Sequence, residues 1–281
     1  MGDRSVRMEN IADKAGGGAP PQRILVLGGT TEASALVRAL APRGAGFDVT
    51  LSLAGRTRDP RPEPVRTRVG GFGGAECLAA WIAAHGVACV VDATHPFAAR
   101  ISRNAAAACV ATGVPRLAIR RPAWARAPED DWTEVDGMAE AAAALGSAPR
   151  RVFLTIGRGE LAAFAAAPQH AYHARTIEPI GDALPVPRLT AITARGPFTR
   201  EAEAAFLAEH RIEVVVTKNS GGDATYAKIE AARALGLPVI VVRRPDAPVG
   251  PAVPDAAAAL DWLLAWAAAR DRAQPATLRR V

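Results

Sequence analysis

The sequence predicts an α/β fold made of two Rossmann-like parallel-sheet domains, with the active site in the cleft between them. Three observations carry this expectation. From residue 22 onwards, short β-branched runs alternate with alanine-rich helical stretches, the rhythm of parallel strands covered on both faces. The rhythm breaks once, in a Pro-, Asp- and Trp-rich stretch over 121–136, and then restarts. Polar, glycine-bearing segments directly follow the apolar runs, at the strand ends where open α/β sheets bind their ligands.

Residues 1–21 are expected to form a polar, mobile arm closed by glycines 16–18 and by Pro20 and Pro21. The first domain is expected over 22–122. It opens with a buried strand at 23–27 (RILVL), then a helix at 32–40 and a strand at 47–53. A short strand at 65–69 ends in the glycine turn 70–74, and a helix at 75–85 leads to a strand at 88–92. Pro96 suits a first helical position, so a helix is expected over 96–112, capped by Thr94 or His95 and followed by a strand at 116–119. After the linker, the second domain is expected over 123–281. It comprises helix 138–145, strand 151–156, helix 160–165, strands 171–177 and 189–193, helix 200–210, strand 213–217, helix 224–235 and strand 238–242, with a closing helix at 255–269.

With 281 residues, 49% hydrophobic and 22% charged, the chain buries a real core, which excludes a disordered or fibrous protein. No stretch reaches the ~18 uncharged apolar residues of a membrane span, and the first residues lack the apolar core of a secretory signal. Cys77, Cys89 and Cys109 are odd in number and widely spaced. A disulfide framework or zinc knuckle is therefore not expected, and a cytoplasmic location is. The net charge of +6 is almost all arginine and spread along the chain, while aromatics are only 5%. That balance argues against nucleic acid and for a polyanionic small molecule.

Four segments can carry chemistry. Gly28-Gly29-Thr30-Thr31-Glu32-Ala33 follows a strand and opens a helix, a place for a phosphate on backbone N–H groups. It departs from the dinucleotide fingerprint by placing Thr30 where the second glycine belongs; the threonine hydroxyls are expected to compensate. A tight turn with a threonine cap is the purely structural alternative. The next strand ends at Leu53-Ala54-Gly55-Arg56 without an acid. If a nucleotide binds, Arg56 favours NADPH over NADH through the 2′-phosphate, unless it is only a solvated loop charge. In Asp92-Ala93-Thr94-His95-Pro96, His95 is placed to touch a cofactor phosphate, bond a substrate carboxylate or supply a proton, or simply to cap. Lys218-Asn219-Ser220-Gly221 forms an anion cradle in a chain with three lysines, and Arg195 and Arg243 follow strands that can face the same cleft. There is no G-x-S-x-G elbow and no Tyr/Lys dehydrogenase pair, and the His170/His173 pair lacks a third metal ligand.

The stretches LGGTTEASAL, DATHPFAARIS, FLTIGRGEL, ARGPFTREAE and VVVTKNSGGDATYAKIEAARALGLPVIVVRRP together resemble the precorrin-6A reductase family of cobalamin biosynthesis, over residues 24–245. The resemblance implies two Rossmann-like domains around one active site. The activity it implies is NADPH-dependent reduction of a double bond of precorrin-6A to precorrin-6B, without flavin or metal. It assigns the cofactor to Gly28, Gly29, Thr30, Thr31, Glu32, Arg56 and Thr94. The acidic tetrapyrrole falls to His95, Arg195, Lys218, Asn219, Ser220, Gly221 and Arg243, with His95 and Lys218 as catalytic candidates. Neighbouring enzymes of the pathway are conceivable partners. Cobalt-precorrin-6A reduction and a non-catalytic NADP-sensing module are the rival readings. The 21-residue arm departs from the family pattern and is expected to be either dispensable or a mis-called start.

Overall fold

The computed structural model describes residues 20–43, 46–55 and 61–273. The expected arm, except Pro20 and Pro21, and Arg56 lie outside the described residues. The first half contains β1 (Gln22–Leu27), α1 (Thr31–Leu40), β2 (Phe47–Leu53), β3 (Arg66–Val69), α2 (Ala75–Ala84), β4 (Cys89–Asp92), α3 (Ala99–Thr112) and β5 (Arg116–Ile119). Then follow β6 (Trp132–Val135), α4 (Met138–Ala144), β7 (Arg151–Thr155), a 3-10 helix (Arg158–Ala166), β8 (Ala171–Thr176), β9 (Leu189–Thr193), α5 (Arg200–Glu209), β10 (Val214–Lys218), α6 (Ala227–Ala234), β11 (Val239–Val242), β12 (Ala252–Val253) and α7 (Ala256–Ala273).

The strands form two six-stranded sheets, ordered β12-β5-β4-β1-β2-β3 and β6-β11-β10-β7-β8-β9, and every pairing is parallel. Alternation along β1 explains why its run is apolar throughout. Ile24 and Val26 join the core under α1 and α7, while Leu25 and Leu27 join the core under α2 and α3. The second sheet repeats the plan: Val152 and Leu154 face α4 and the 3-10 helix, while Phe153 faces α5 and α6. Helix α1 is set by Thr30, whose Oγ1 accepts from Ala33 N at 3.2 Å, and by Ala33, Leu36, Val37 and Leu40 on one buried stripe.

Three expectations change. The linker ends earlier than residue 136, because Trp132–Val135 is a strand pairing in parallel with β11 at the edge of the second sheet. Pro96 does not open the helix. Pro96, Phe97 and Ala98 form a turn, and α3 starts at Ala99 with no side-chain cap, so neither Thr94 nor His95 caps it. The largest change concerns the expected second domain, 123–281. Strand β12 pairs with β5, and Ala259 and Leu263 of α7 pack beside α1 in the first core. The chain thus returns to the first sheet and covers an edge and a face that would otherwise be exposed. Helical rhythm identified this helix, but it says nothing about which sheet the helix covers.

This packing predicts that Leu263→Ala removes about 2–5 kcal/mol of stability, although the residue lies over two hundred positions from β1. Urea unfolding followed by fluorescence of the adjacent Trp262 and Trp266 measures it. An unchanged midpoint would show that α7 is not part of the first core.

Candidate active site

In the first sheet, strand order reverses between β1 and β4, and in the second between β7 and β10. Loops leaving two such strands diverge and open a crevice at the carboxyl edge. Register brings these loops level: Leu27 pairs with Asp92, and Thr155 with Thr217. The glycine turn and the His95 loop therefore share one crevice, and Gly157 and Lys218 the other.

At the first crevice Gly29 has φ +108° and open space where a Cβ would stand, so the backbone at the start of α1 is accessible. A Cβ on Gly28 would press on Leu51 Cδ1 at 2.5 Å. This open helix N-terminus suits the pyrophosphate of a dinucleotide. The expected contribution of the Thr30 hydroxyl is corrected: it donates to Ala93 O at 2.7 Å and caps the helix, so no donor remains for a ligand. Thr31 is exposed, and its hydroxyl donates to Glu32 at 3.2 Å. Glu32 itself pairs with Arg121, whose Nη1 lies 2.9 Å from each carboxylate oxygen. Burial pushes the Glu32 carboxyl up. The Arg121 hydrogen bonds and one from its own backbone N–H outweigh this and hold it below the usual carboxylate range. Around this ion pair, Thr30, Ala93, Pro96 and Ile119 help line a cavity of ≈ 10 Å³, room for about one water.

Beyond β4, Asp92 is fully buried and accepts from Thr94 Oγ1 at 2.7 Å and Arg120 Nη2 at 2.5 Å, with Arg116 Nη1 at 3.6 Å. Burial raises its pKa, but the charge and hydrogen bonds of Arg120 reverse the shift and keep it low. Thr94 is thus a buried bracket on Asp92 instead of a free cofactor ligand. His95 Nδ1 accepts from Phe97 N at 3.2 Å, which assigns the ring proton to Nε2. Burial, then the charges of Lys218, Arg121 and Arg244, push its pKa down to about 3. An imidazolium donor at His95, expected from sequence, does not fit this setting; the ring is neutral at neutral pH.

At the second crevice, Lys218 Nζ donates to Glu160 Oε2 at 2.7 Å, and the same carboxylate accepts from Gly157 N at 2.8 Å. Lys218 also lies 5.1 Å from the ring of Phe97, which packs against the second core from the first sheet's loop. The two crevices therefore adjoin. Asn219 does not present its amide to a ligand: it accepts from Trp124 N at 2.8 Å and donates to Trp124 O at 3.0 Å, clamping the linker. Ser220 Oγ lies 3.3 Å from Thr225 Oγ1, while its carbonyl accepts from Arg121 Nε at 2.7 Å and Arg244 Nη2 at 2.9 Å. Gly221 has φ +66°, and a Cβ there would overlap Pro122 O and Arg244 Nη2.

The two remaining arginines lie apart from this cluster. Arg243 is turned to Asp136 and Glu134 beside β6, at 2.6 and 4.0 Å. Arg195 is exposed beyond edge strand β9 and forms no ion pair among the described residues. Sequence reasoning missed Arg121, lost in the linker, and preferred Arg243 to Arg244. Side chains alternate along an extended chain, so the neighbour of the expected residue faces the linker.

A family model described as precorrin-6x reductase CbiJ/CobK matches residues 23–264. The chain belongs to this family. A precorrin-6A reductase of Sinorhizobium sp is 53% identical over 88% of this chain and 94% of its own. A solved structure titled CobK precorrin-6A reductase superimposes with a TM-score of 0.82 at 47% identity, covering 87% of this chain and 96% of that one. A cobalt-precorrin-6A reductase of Priestia megaterium is 31% identical over 81% and 92%. The chain is thus a reductase, an enzyme class that draws on a nicotinamide cofactor. Among the described residues, no helix is long and apolar enough to cross a membrane.

Two outcomes follow from the first crevice. Asp92 has a depressed folded pKa, so its stabilisation is present above its ordinary value near 3.8 and lost as pH falls through the folded one. Asp92→Asn leaves the buried Arg116 and the partly buried Arg120 guanidinium uncompensated and is expected to cost about 3–5 kcal/mol at neutral pH, with a flatter acid limb in urea unfolding. Equal acid sensitivity in the variant would contradict the assignment. His95 in the unliganded protein is expected to show no titration between pH 5 and 8 by NMR; a midpoint near 6.5 would show that its ring is solvated.

Proposed function

We propose that the chain reduces precorrin-6A with NADPH, holding the cofactor on the first sheet and the acidic macrocycle against the second. The observation that carries this reading is the meeting of the two sheets' switch points, joined through Phe97, Lys218 and Arg121. The higher identity to precorrin-6A reductases than to a cobalt-precorrin-6A reductase supports the metal-free substrate.

Gly28, Gly29 and Thr31, with Glu32 beside them, would hold the cofactor phosphates at the start of α1. NADPH is favoured over NADH because β2 ends without an acid at Leu53-Ala54-Gly55. Arg68 supports the same preference: its Nη1 donates to Ser52 Oγ at 2.8 Å on that strand, and Arg56 follows in sequence. When bound, this cofactor supplies a hydride.

The protein's own part is alignment and charge. Lys218, Arg121 and Arg244 make the cleft positive and attract a substrate bearing several carboxylates. Neutral His95 offers an Nε2–H as a hydrogen-bond donor. Proton delivery falls to the Lys218 ammonium, which Glu160 steers towards the cleft. An NADP-sensing module predicts an apolar or featureless cleft; the ionic cluster here speaks for catalysis. Cys77, Cys89 and Cys109 are free thiols, which together with NADPH chemistry suits the cytoplasm.

Purified protein is expected to consume dihydronicotinamide absorbance only when precorrin-6A is present; no substrate-dependent loss would remove the reductase reading. Lys218→Ala is expected to raise the KM for the macrocycle about tenfold and, as the loss of the proton donor, to lower kcat about a hundredfold, while leaving NADPH affinity within about twofold. A collapse of cofactor affinity instead would move this loop to the cofactor's side.

A further inference from the structure

Arg121 occupies an unusual position between the two crevices. It follows β5, and its backbone carbonyl accepts from Arg244 Nη1 at 2.7 Å, so its seat is pinned. Its stem lies against Gly222, where a Cβ would come within 3.0 Å of Arg121 Cδ. Its Nε is held by Ser220 O on the second sheet's loop, and its Nη1 by Glu32 on the first sheet's helix. Its Nη2 makes no hydrogen bond among the described residues. The Glu32 carboxylate, meanwhile, accepts from its own backbone N–H in the first turn of α1. It sits where a helix N-terminus attracts an anion.

We propose that Arg121 is a cofactor-positioning residue that exchanges anions: the Glu32 carboxylate in the free enzyme, the cofactor pyrophosphate in the loaded one. The proposal rests on the reading that NADPH seats at the start of α1. A pyrophosphate arriving there meets a carboxylate of like charge, and the guanidinium between them can neutralise only one anion well. The free Nη2 lets Arg121 take the phosphate while Nε stays on Ser220 O. Glu32 is then a placeholder that keeps a buried cation paired in the empty enzyme, and its displacement opens the small cavity beside it. Because Arg121 keeps its grip on Ser220, cofactor occupancy is transmitted to the loop carrying Lys218, the residue assigned to the macrocycle. By linkage, whatever factor the bound cofactor applies to macrocycle affinity, the macrocycle applies to cofactor affinity.

The test is NADPH affinity by fluorescence titration in wild type, Glu32→Gln, Arg121→Met, Arg121→Lys and Thr31→Glu, each checked for folding by circular dichroism. It is paired with hydrogen exchange of residues 218–225 with and without NADP⁺. Glu32→Gln keeps the shape and removes the competing charge, so it is expected to tighten NADPH about fivefold. Arg121→Met is expected to weaken it at least about tenfold, as for loss of a charge-assisted contact. Arg121→Lys, which keeps the charge and loses the fork, falls between and serves if the methionine variant does not fold. NADP⁺ is expected to slow exchange in 218–225 in wild type and, even at saturation, not in Arg121→Met. Thr31→Glu adds a carboxylate to an exposed position of the same helix end and is expected to weaken NADPH. If Thr31→Glu weakens binding but Glu32→Gln weakens it too, or Arg121→Met binds like wild type, the anion exchange is wrong and the cofactor seat stands. If Thr31→Glu binds NADPH like wild type, the seat itself is wrong and the proposal falls with it.

Discussion

A parallel sheet gathers the carboxyl ends of all its strands on one edge, and this constraint organises the whole molecule. Each sheet here places its divergent loops where the strand order reverses, so each has one natural crevice. What makes a site is that the two crevices are tied together. Asn219 grips both backbone groups of Trp124, Arg244 binds the carbonyls of Arg121, Pro122, Asn219 and Ser220, and Arg121 reaches across to Glu32. A linker that might have been a loose tether is instead stitched to the second sheet's loop by groups that would otherwise be unsatisfied. The return of β12 and α7 to the first sheet adds a second crossing of the chain between the units.

The same ties set the electrostatics. Cations concentrate where the crevices adjoin, and most have an acidic partner: Arg120 and Arg116 on Asp92, Arg121 on Glu32, Lys218 on Glu160, while Arg244 is held by backbone carbonyls. Their combined field, with burial, keeps His95 uncharged. The acids already hold most of these cations in place, so the charge at the junction is preorganised and would need little rearrangement to receive a polyanion. Neutral His95 is one consequence of that arrangement, which leaves an Nε2–H able to donate.

Much of this was readable in the sequence, and the exceptions have a common cause. Element types and most boundaries followed from apolar runs and helical stretches, and the strand-end positions of Gly28, Thr30, His95 and Lys218 were legible because they close or directly follow such runs. Local pattern carries no information on partners, however. It could not show that α7 covers the first sheet, that Trp132–Val135 is an edge strand, or that the Asn219 amide serves Trp124. Arg121 was hidden because a stretch rich in proline and acid reads as connector, and only the folded chain shows its guanidinium between two loops. Arg243 was preferred to Arg244 because adjacent like residues cannot be told apart until the twist of the strand assigns each to a face. His95 was given an acid's role because its three cationic neighbours are 26, 123 and 149 residues away in the chain.

The central claim, that the first sheet's glycine turn receives the cofactor while the second sheet's loop faces it across one cleft, is tested most directly by a crystal structure with NADP⁺ bound. The account predicts the pyrophosphate on the backbone of Gly29 and the first turn of α1, with the nicotinamide ring directed towards His95 and Lys218. Electron density for the pyrophosphate at the Gly157 turn, on the second sheet, would contradict it.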